Sequence, residues 1–216
     1  MDVGLTKPLT RNIREGQPPL DLRGYEATGG YEAVRKLVGK VSPQDVQKLV
    51  KESGLRGRGG AGFPTGMKWS FVPMGPDAPR PKYLVANADE MEPGTFKDRL
   101  LMEGDPHLFI EGMILASYAL DADTAFIFLR WGYGVSDERI RKAIAEAQAA
   151  GYLGKNVLGS GWSLDMHMHI SAGRYMCGEE TGLINALEGK RANPRAKPPF
   201  PQTSGLFGKP TIVQNG

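Results

Sequence analysis

The 216-residue chain holds a single cysteine, Cys177, which excludes an internal disulfide and any all-cysteine metal site built by this chain alone. No apolar run approaches the roughly 18 residues that would suggest a membrane-spanning helix. The start, Met1-Asp2-Val3-Gly4, lacks both a charged n-region and an apolar h-region, so no secretory signal is visible and a cytoplasmic setting is expected. Excess charge is also missing: 27 Lys and Arg against 24 Asp and Glu leave a net +3, too mild to imply nucleic acid without a focused patch. Gly154-Lys155, Gly189-Lys190 and Gly208-Lys209 are each followed by something other than Ser or Thr, so no P-loop is present. What remains, 40% hydrophobic and 24% charged, is the composition of an ordinary globular protein.

Glycine is where the chain is rich, and residues 54–69, GLRGRGGAGFPTGMKW, concentrate it. So many glycines disfavour a helix or strand interior, because each loses too much backbone freedom there. They suit a loop whose N–H groups lie against a ligand with no Cβ atoms between. Arg56, Arg58 and Lys68 add positive charge, so the expected ligand is an anion, foremost a phosphate. The competing reading is a flexible linker, against which the basic and aromatic residues argue. Gly57, Gly59 and Gly62 formally satisfy G-x-G-x-x-G, but the dinucleotide fingerprint needs a strand before it and a helix opening within it. Here the preceding segment reads as a helix, with Ser42 as N-cap, Pro43 at its first position, Val46, Leu49 and Val50 on one face and Gly54 as its stop. Pro64 disfavours a helix starting inside the loop.

The rest alternates. Residues 82–86 and 124–129 read as short buried strands, and 107–120 between them carries a helical apolar pattern, which argues for a parallel α/β unit. Ser136 is expected to cap a helix over 137–150 with Ile140, Ala143, Ile144 and Ala147 inward. Residues 163–171 alternate, Leu164, Met166, Met168 and Ile170 on one face against Asp165, His167 and His169, a half-buried strand. Residues 178–188 suit a last helix. Residues 1–30 and the proline-rich 193–210 read as extended segments, Phe200 and Phe207 of the latter wanting a contact. The domain reading is an N-terminal arm over 1–41, a helix and glycine-rich nucleotide loop over 42–81, and an α/β domain over 82–216.

Ligands of open α/β sheets bind beyond the carboxyl ends of strands, where Asn87-Ala88-Asp89-Glu90-Met91-Glu92-Pro93-Gly94 falls. Its carboxylates can accept from ribose hydroxyls, and Asn87 can both donate and accept against a heterocycle. A metal site on Asp89, Glu90 and Glu92 has no well-spaced histidine to support it, and a solvated loop is the plain alternative. Glu179 and Glu180 open the last helix, where the macrodipole alone would favour them; the functional reading is a pocket lined by carboxylates and backbone N–H groups. His167 and His169 read first as a solvent-facing pair without a third metal ligand. Cys177 reads as a small buried hydrophobe rather than a nucleophile.

With GLRGRGGAGFPTGMKW at 54–69, NADEMEPGTFKDR at 87–99, GRYMCGEETGLINALEGKRANPRAKPPFP at 173–201 and SGLFGKPT at 204–211, the chain closely resembles the flavin-bearing, NADH-oxidising F subunits of bacterial complex I. That family includes flavin subunits of NAD-linked hydrogenases and formate dehydrogenases. The resemblance implies a Rossmann-like parallel-sheet flavin domain, preceded here by an extended glycine-rich arm. In it FMN lies in a deep cavity with NADH above its ring. It implies FMN contacts from Gly57, Arg58, Gly59 and Lys68, from Asn87, Asp89 and Glu90, from Tyr175, Gly178, Glu179 and Glu180, and from Val213, Gln214 and Asn215. NADH would meet Phe63 and Phe71 around its adenine, Glu92 at a ribose, Lys197 and Phe200 elsewhere, and Glu180 near the nicotinamide. No general acid or base is implied, since hydride passes between cofactors.

The family pattern continues Pro-Thr-x-Val-Asn-Asn-Val-Glu-Thr, where this chain has Pro210-Thr211-Ile212-Val213-Gln214-Asn215-Gly216; the glutamine keeps a carboxamide. The family's ubiquitin-like domain and helical bundle with its 4Fe-4S cluster have no counterpart in these residues. Expected partners are the thioredoxin-like 2Fe-2S subunit and the large iron–sulfur subunit of complex I, with no nucleic acid. The expected location is the cytoplasmic face of the inner membrane, reached only through the complex.

Overall fold

A computed structural model describes residues 7–215. In chain order they form α1 (Leu22–Ala27), α2 (Glu32–Leu37), α3 (Pro43–Glu52), α4 (Thr65–Trp69), β1 (Tyr83–Ala88), α5 (Lys97–Gly104), α6 (Pro106–Leu120), β2 (Thr124–Leu129), α7 (Gly134–Ala149), β3 (Asp165–Ile170), α8 (Glu180–Leu187), α9 (Pro201–Ser204) and β4 (Thr211–Asn215). The strands pair in parallel in the order β3-β2-β1-β4, with Tyr83 opposite both Thr124 and Thr211. The fold is thus the expected α/β class. β1 and β2 are covered on both faces, which is why they read as apolar runs rather than as alternation.

Two cores flank the sheet. Leu84, Ala86, Ile127, Leu129 and Ile212 pack with α6 and α7 on one side. Val85, Phe128 and Val213 pack with Leu183, Ile184, Cys177 and Leu206 on the other. The chain steps outward from β1 through β2 to β3 and then returns to lay β4 on the far side of β1. The crevice between β1 and β4 is therefore the point where the strand order reverses, the place such sheets bind ligands. Among the described residues no helix is long and apolar enough to cross a membrane.

Several local expectations need correction. The segment read as an extended arm is helical from Leu22, and it is part of the core: Tyr25, Tyr31 and Val34 are fully buried. Its two helices have six residues each, too short to show a period. They are held by polar and aromatic contacts instead. Tyr25 Oη donates to Glu111 at 2.6 Å, and the Tyr31 backbone N–H donates to the same carboxylate at 2.9 Å. Tyr31 Oη meets His107 Nδ1 at 3.0 Å, His107 Nε2 lies 2.9 Å from Glu146, and the Tyr31 and Tyr152 rings stack at 4.1 Å. Gly30 admits this packing, for a Cβ there would lie 2.2 Å from the Tyr25 ring.

α3 begins as read, with Ser42 accepting from Asp45 N at 3.1 Å, and Gly54 follows it at φ +69. Leu49, however, is 52% exposed, so the inward face rests on Val46 and the partly buried Val50. Pro64 does not prevent a helix: it is the N-cap of α4, a position that needs no N–H. α7 starts at Gly134, two residues before Ser136, whose buried hydroxyl donates to Glu103 Oε1 at 3.3 Å instead of capping. Phe200 stays about half exposed; Phe207 is also largely exposed, but its ring meets Tyr83 edge-on at 6.1 Å.

Tyr25→Phe should cost about 1–3 kcal/mol, because it leaves a buried carboxylate one donor short while keeping the ring. Urea unfolding at unchanged slope measures it; an unshifted midpoint would show that the hydroxyl contributes nothing.

Candidate functional site

The glycine-rich segment folds back on itself through Gly57 N to the Phe63 carbonyl at 2.9 Å and Thr65 N to the Leu55 carbonyl at 2.8 Å. Arg56 is engaged inside the turn, donating to the Gly62 carbonyl at 3.2 Å. The tip therefore presents Arg58, Gly59 and Gly60, and these form one wall of a cavity of about 720 Å³ at the carboxyl ends of β1 and β4. Gly60 sits at φ +100, where side chains are disfavoured. A Cβ on Gly59 would lie 2.5 Å from the Asn215 carboxamide, so only glycine lets the loop close on β4.

Asn87 and Asn215 are register partners on β1 and β4, and both line the cavity. Asn87 donates to the Gly178 carbonyl at 2.9 Å, joining the strand end to the turn before α8. Asp89 accepts from the Ser171 hydroxyl at 2.8 Å through one oxygen. Its other oxygen is buried without a partner, and burial pushes the carboxyl above its usual range. Such an orphan beside a cavity calls for a donor from a bound molecule.

The remaining carboxylates are largely committed to the fold. Glu90 accepts from Asp98 N at 3.3 Å, Arg99 N at 3.4 Å and Tyr133 Oη at 3.2 Å, and so closes the start of α5, where Phe96 offers no cap. Glu179 is the N-cap of α8, its Oε2 accepting from Thr181 N at 2.9 Å and Gly182 N at 2.8 Å. Glu180, in the first turn, lies between Lys68 at 3.0 Å and Lys197 at 2.6 Å. Burial works to raise its pKa, but the two lysines outweigh burial and hold the carboxyl below the usual range. Lys68 also donates to the Val213 carbonyl at 2.8 Å. At the mouth, Tyr175 Oη donates to Glu92 at 2.6 Å, bridging the two loops.

The cavity thus gathers Arg58, Gly59, Asn87, Asp89, Glu90, Glu92, Tyr175, Gly178, Glu179 and Asn215. Lys68, Glu180 and Lys197 form a linked ion cluster that reaches Glu179, 3.8 Å from Lys197. Phe63, Phe71 and Phe200 are about half exposed and lie outside the cavity lining. The Val213 side chain belongs to the core, and Gln214 faces a second cavity.

Thr95, Lys97 and Asp98 also line the cavity, and sequence reasoning passed over them although they stand inside the 87–99 block. Asp98 is 3% exposed; burial, relieved in part by Lys97 and reinforced by Glu90, pushes its carboxyl up to about 6. The histidine pair is not plainly solvent-facing: His169 is half-buried and stacked on Phe128 at 5.1 Å, and burial lowers its pKa. Cys177 is buried, and burial, with Asp89 nearby, raises its thiol pKa. Among the described residues no group of three His, Cys, Asp or Glu could hold a metal ion.

A parallel α/β sheet with a glycine loop closing over the strand-order reversal defines a nucleotide-type binding module. Residues 50–216 match the Nuo51 FMN-binding domain family, and the chain belongs to that family. It is 57% identical over 194 residues to the F 2 subunit of the NADH-quinone oxidoreductase of Rhizobium meliloti (strain 1021), covering 90% of this chain and 46% of the relative. It is 54% identical over 210 residues to the F subunit of the NADH-quinone oxidoreductase of Escherichia coli (strain K12), covering 97% and 47%. A crystal structure of an NAD+-reducing nickel–iron hydrogenase in the H2-reduced state superposes with a TM-score of 0.74 at 40% identity, over 92% of this chain and 33% of that one. The chain spans about half the length of the curated relatives it matches.

Asp98→Asn should flatten the pH dependence of stability between about pH 4 and pH 6. A carboxyl whose folded pKa is raised binds more protons folded than unfolded, so it costs stability as pH rises through that window. Comparing unfolding midpoints at pH 4.5 and pH 7 tests this; equal slopes for the two proteins would refute it.

Proposed function

We propose that this chain is the FMN- and NADH-binding part of an NADH:quinone oxidoreductase, taking hydride from NADH and delivering electrons toward iron–sulfur clusters of partner subunits. The observation that carries the reading is the cavity at the β1–β4 crevice, where Gly59 closes against Asn215 and an oxygen of Asp89 is left without a donor. Its volume suits a flavin mononucleotide, and a flavin offers polar ring and ribityl groups to Asp89 and Asn87. FMN supplies the hydride acceptor when bound. The chain's own work is to hold it and to bring the nicotinamide against it.

In this reading the backbone N–H groups of Arg58, Gly59 and Gly60 and the Arg58 guanidinium hold the phosphate, while the Gly57 N–H closes the turn on the Phe63 carbonyl. Lys68 has two of its three donors engaged by Glu180 and the Val213 carbonyl, which leaves one to offer the cofactor. Asn87, Asp89 and Asn215 orient the flavin, while Glu90 and Glu179 fix the helix starts that form its walls. Tyr175 and Gly178 complete the proposed contacts, whereas Gln214 faces the second cavity and the Val213 carbonyl is taken by Lys68. NADH enters over the mouth marked by Glu92 and Tyr175, with exposed Phe63 and Phe71 offered to its adenine and Lys197 and Phe200 flanking its other parts. Identity of 50–57% with the NADH-quinone oxidoreductase relatives favours complex I over the hydrogenase reading, which rests on 40%. Partners are then the thioredoxin-like 2Fe-2S and large iron–sulfur subunits, and the setting is the cytoplasmic face of the membrane.

Reconstituted with FMN and titrated anaerobically with NADH, the chain should retain a flavin band that NADH bleaches. Failure of folded chain to hold FMN would overturn the reading for these residues. Gly59→Ala should weaken FMN binding about tenfold or more, equivalent to about 1.4 kcal/mol, read by flavin fluorescence. Glu180→Gln frees Lys68 and Lys197 of their carboxylate, so NAD+ should bind several-fold tighter in equilibrium titration; unchanged NADH and NAD+ constants would sink that assignment.

A further inference from the structure

Two cations line the cavity at the β1–β4 crevice, Arg58 and Lys97, against five carboxylates, Asp89, Glu90, Glu92, Asp98 and Glu179. A phosphate dianion entering that lining meets more negative charge than positive. Four of the five carboxylates accept from groups that carry no charge. Asp89 accepts from the Ser171 hydroxyl, Glu90 from two backbone N–H groups and Tyr133, Glu92 from Tyr175, and Glu179 from the first N–H groups of α8. Asp98 differs: among the described contacts its carboxylate accepts from the Lys97 ammonium alone. The Asp98 side chain is 3% exposed and fixed at the start of α5, whereas that of Lys97 is 42% exposed on a flexible four-carbon stem. From the loop after β1, Asp98 is faced by Glu90, whose charge adds to the effect of burial. Tyr133 and Arg130, ahead of α7, are turned to the Glu90 carboxylate and carbonyl instead. On α5 Arg99 pairs with Glu103 at 3.0 Å, and Arg139 of α7 donates to the Glu103 carbonyl. On α6 His107 and Glu111 are bonded to Tyr31 and Tyr25. Lys97 is thus the cation that reaches Asp98, and it also faces the cavity.

Resting on the proposed function for the identity of the ligand, we propose that Lys97 is a further phosphate-binding residue, which swings from Asp98 to a phosphate oxygen of the bound nucleotide while Asp98 takes a proton from solvent. Binding then brings a proton into the cavity together with the anion. In the free chain the lysine neutralises the buried carboxylate; in the bound chain it neutralises the phosphate, and the carboxyl is neutral by itself. A buried carboxylate that loses its cation is too costly to stay ionised. Burial already pushes the Asp98 carboxyl up to about 6 with the lysine beside it, so losing the lysine carries it higher still. Because the bound state holds the extra proton, affinity for the phosphate falls as pH rises through the bound carboxyl's range.

The carbon NMR resonance of the Asp98 carboxyl, followed through pH in the 216-residue chain, reads this proton directly. Free, it should titrate at about 6. With saturating FMN its midpoint should stand at about pH 7 or above, whereas riboflavin, the same flavin without phosphate, should leave it in place. A midpoint raised instead by NAD+ added to the FMN-loaded chain assigns Lys97 to the dinucleotide's pyrophosphate. Lys97→Met should weaken binding of that nucleotide about tenfold or more at neutral pH, with riboflavin little affected and the free Asp98 midpoint already raised. FMN affinity should fall between about pH 7 and about pH 8, where the phosphate is already a dianion, and Asp98→Asn should abolish the fall. An Asp98 midpoint that neither nucleotide moves, or that riboflavin moves as far as FMN does, overturns the proposal. So does a Lys97→Met chain that binds FMN and NAD+ undiminished. A folded chain that takes no FMN fails the flavin assignment separately; inorganic sulfate, a dianion that does not titrate in this range, then replaces FMN and must raise the same midpoint.

Discussion

Everything at the site depends on the parallel pairing of β1 with β4. Because β4 is laid beside β1 only after the chain has gone out to β3 and come back, the connections leaving the two central strands diverge, and a crevice opens at their carboxyl ends. The pairing puts Asn87 and Asn215 opposite one another at the floor of that crevice. It also brings the loop after β1, the turn before α8 and the glycine turn to its rim. Without this register the glycine turn would have nothing to close on, for its contact is the Asn215 side chain.

The charges around the crevice divide into those that hold the fold and those left to hold something else. Glu90 and Glu179 each accept the free N–H groups of a helix start, an arrangement that the macrodipole reinforces. They give the cavity rigid walls and are thereby less available to a ligand. Asp89 is the opposite case: it is buried, bonded through one oxygen and unpartnered at the other. Lys68, Glu180 and Lys197 sit between these extremes, paired among themselves yet only partly buried, so an arriving anion can compete for the lysines. Under the proposed function, the dianionic and uncharged parts of one cofactor would meet both kinds of group.

Much of this was legible along the chain. The limits of β2 follow from Thr124 to Leu129, the start of α3 from Ser42-Pro43, and the loop character of 57–62 from its glycines. Less so were the two helices between residues 22 and 37, since six-residue helices show no period and their stability comes from Tyr25, Tyr31, His107 and Glu111 meeting across distant segments. Leu49 misled because an apolar residue on a helix carries no mark of whether its face is covered. Asp98 was missed because nothing local distinguishes a buried aspartate from a solvated one.

The sequence by itself determined the short-range features: caps, stops, buried strands and a bare, basic backbone loop, because these follow from φ/ψ freedom, side-chain size and local hydrogen bonding. It could also state which residue types would be offered to a ligand. Only the tertiary structure decided which of the carboxylates are committed to helix starts, which one is orphaned, and that Asn87 meets Asn215. Those outcomes depend on burial and on contacts between residues far apart in the chain, which no local pattern encodes. The physical reason is that desolvation and partner supply, rather than residue identity, set what a polar group does once it is inside.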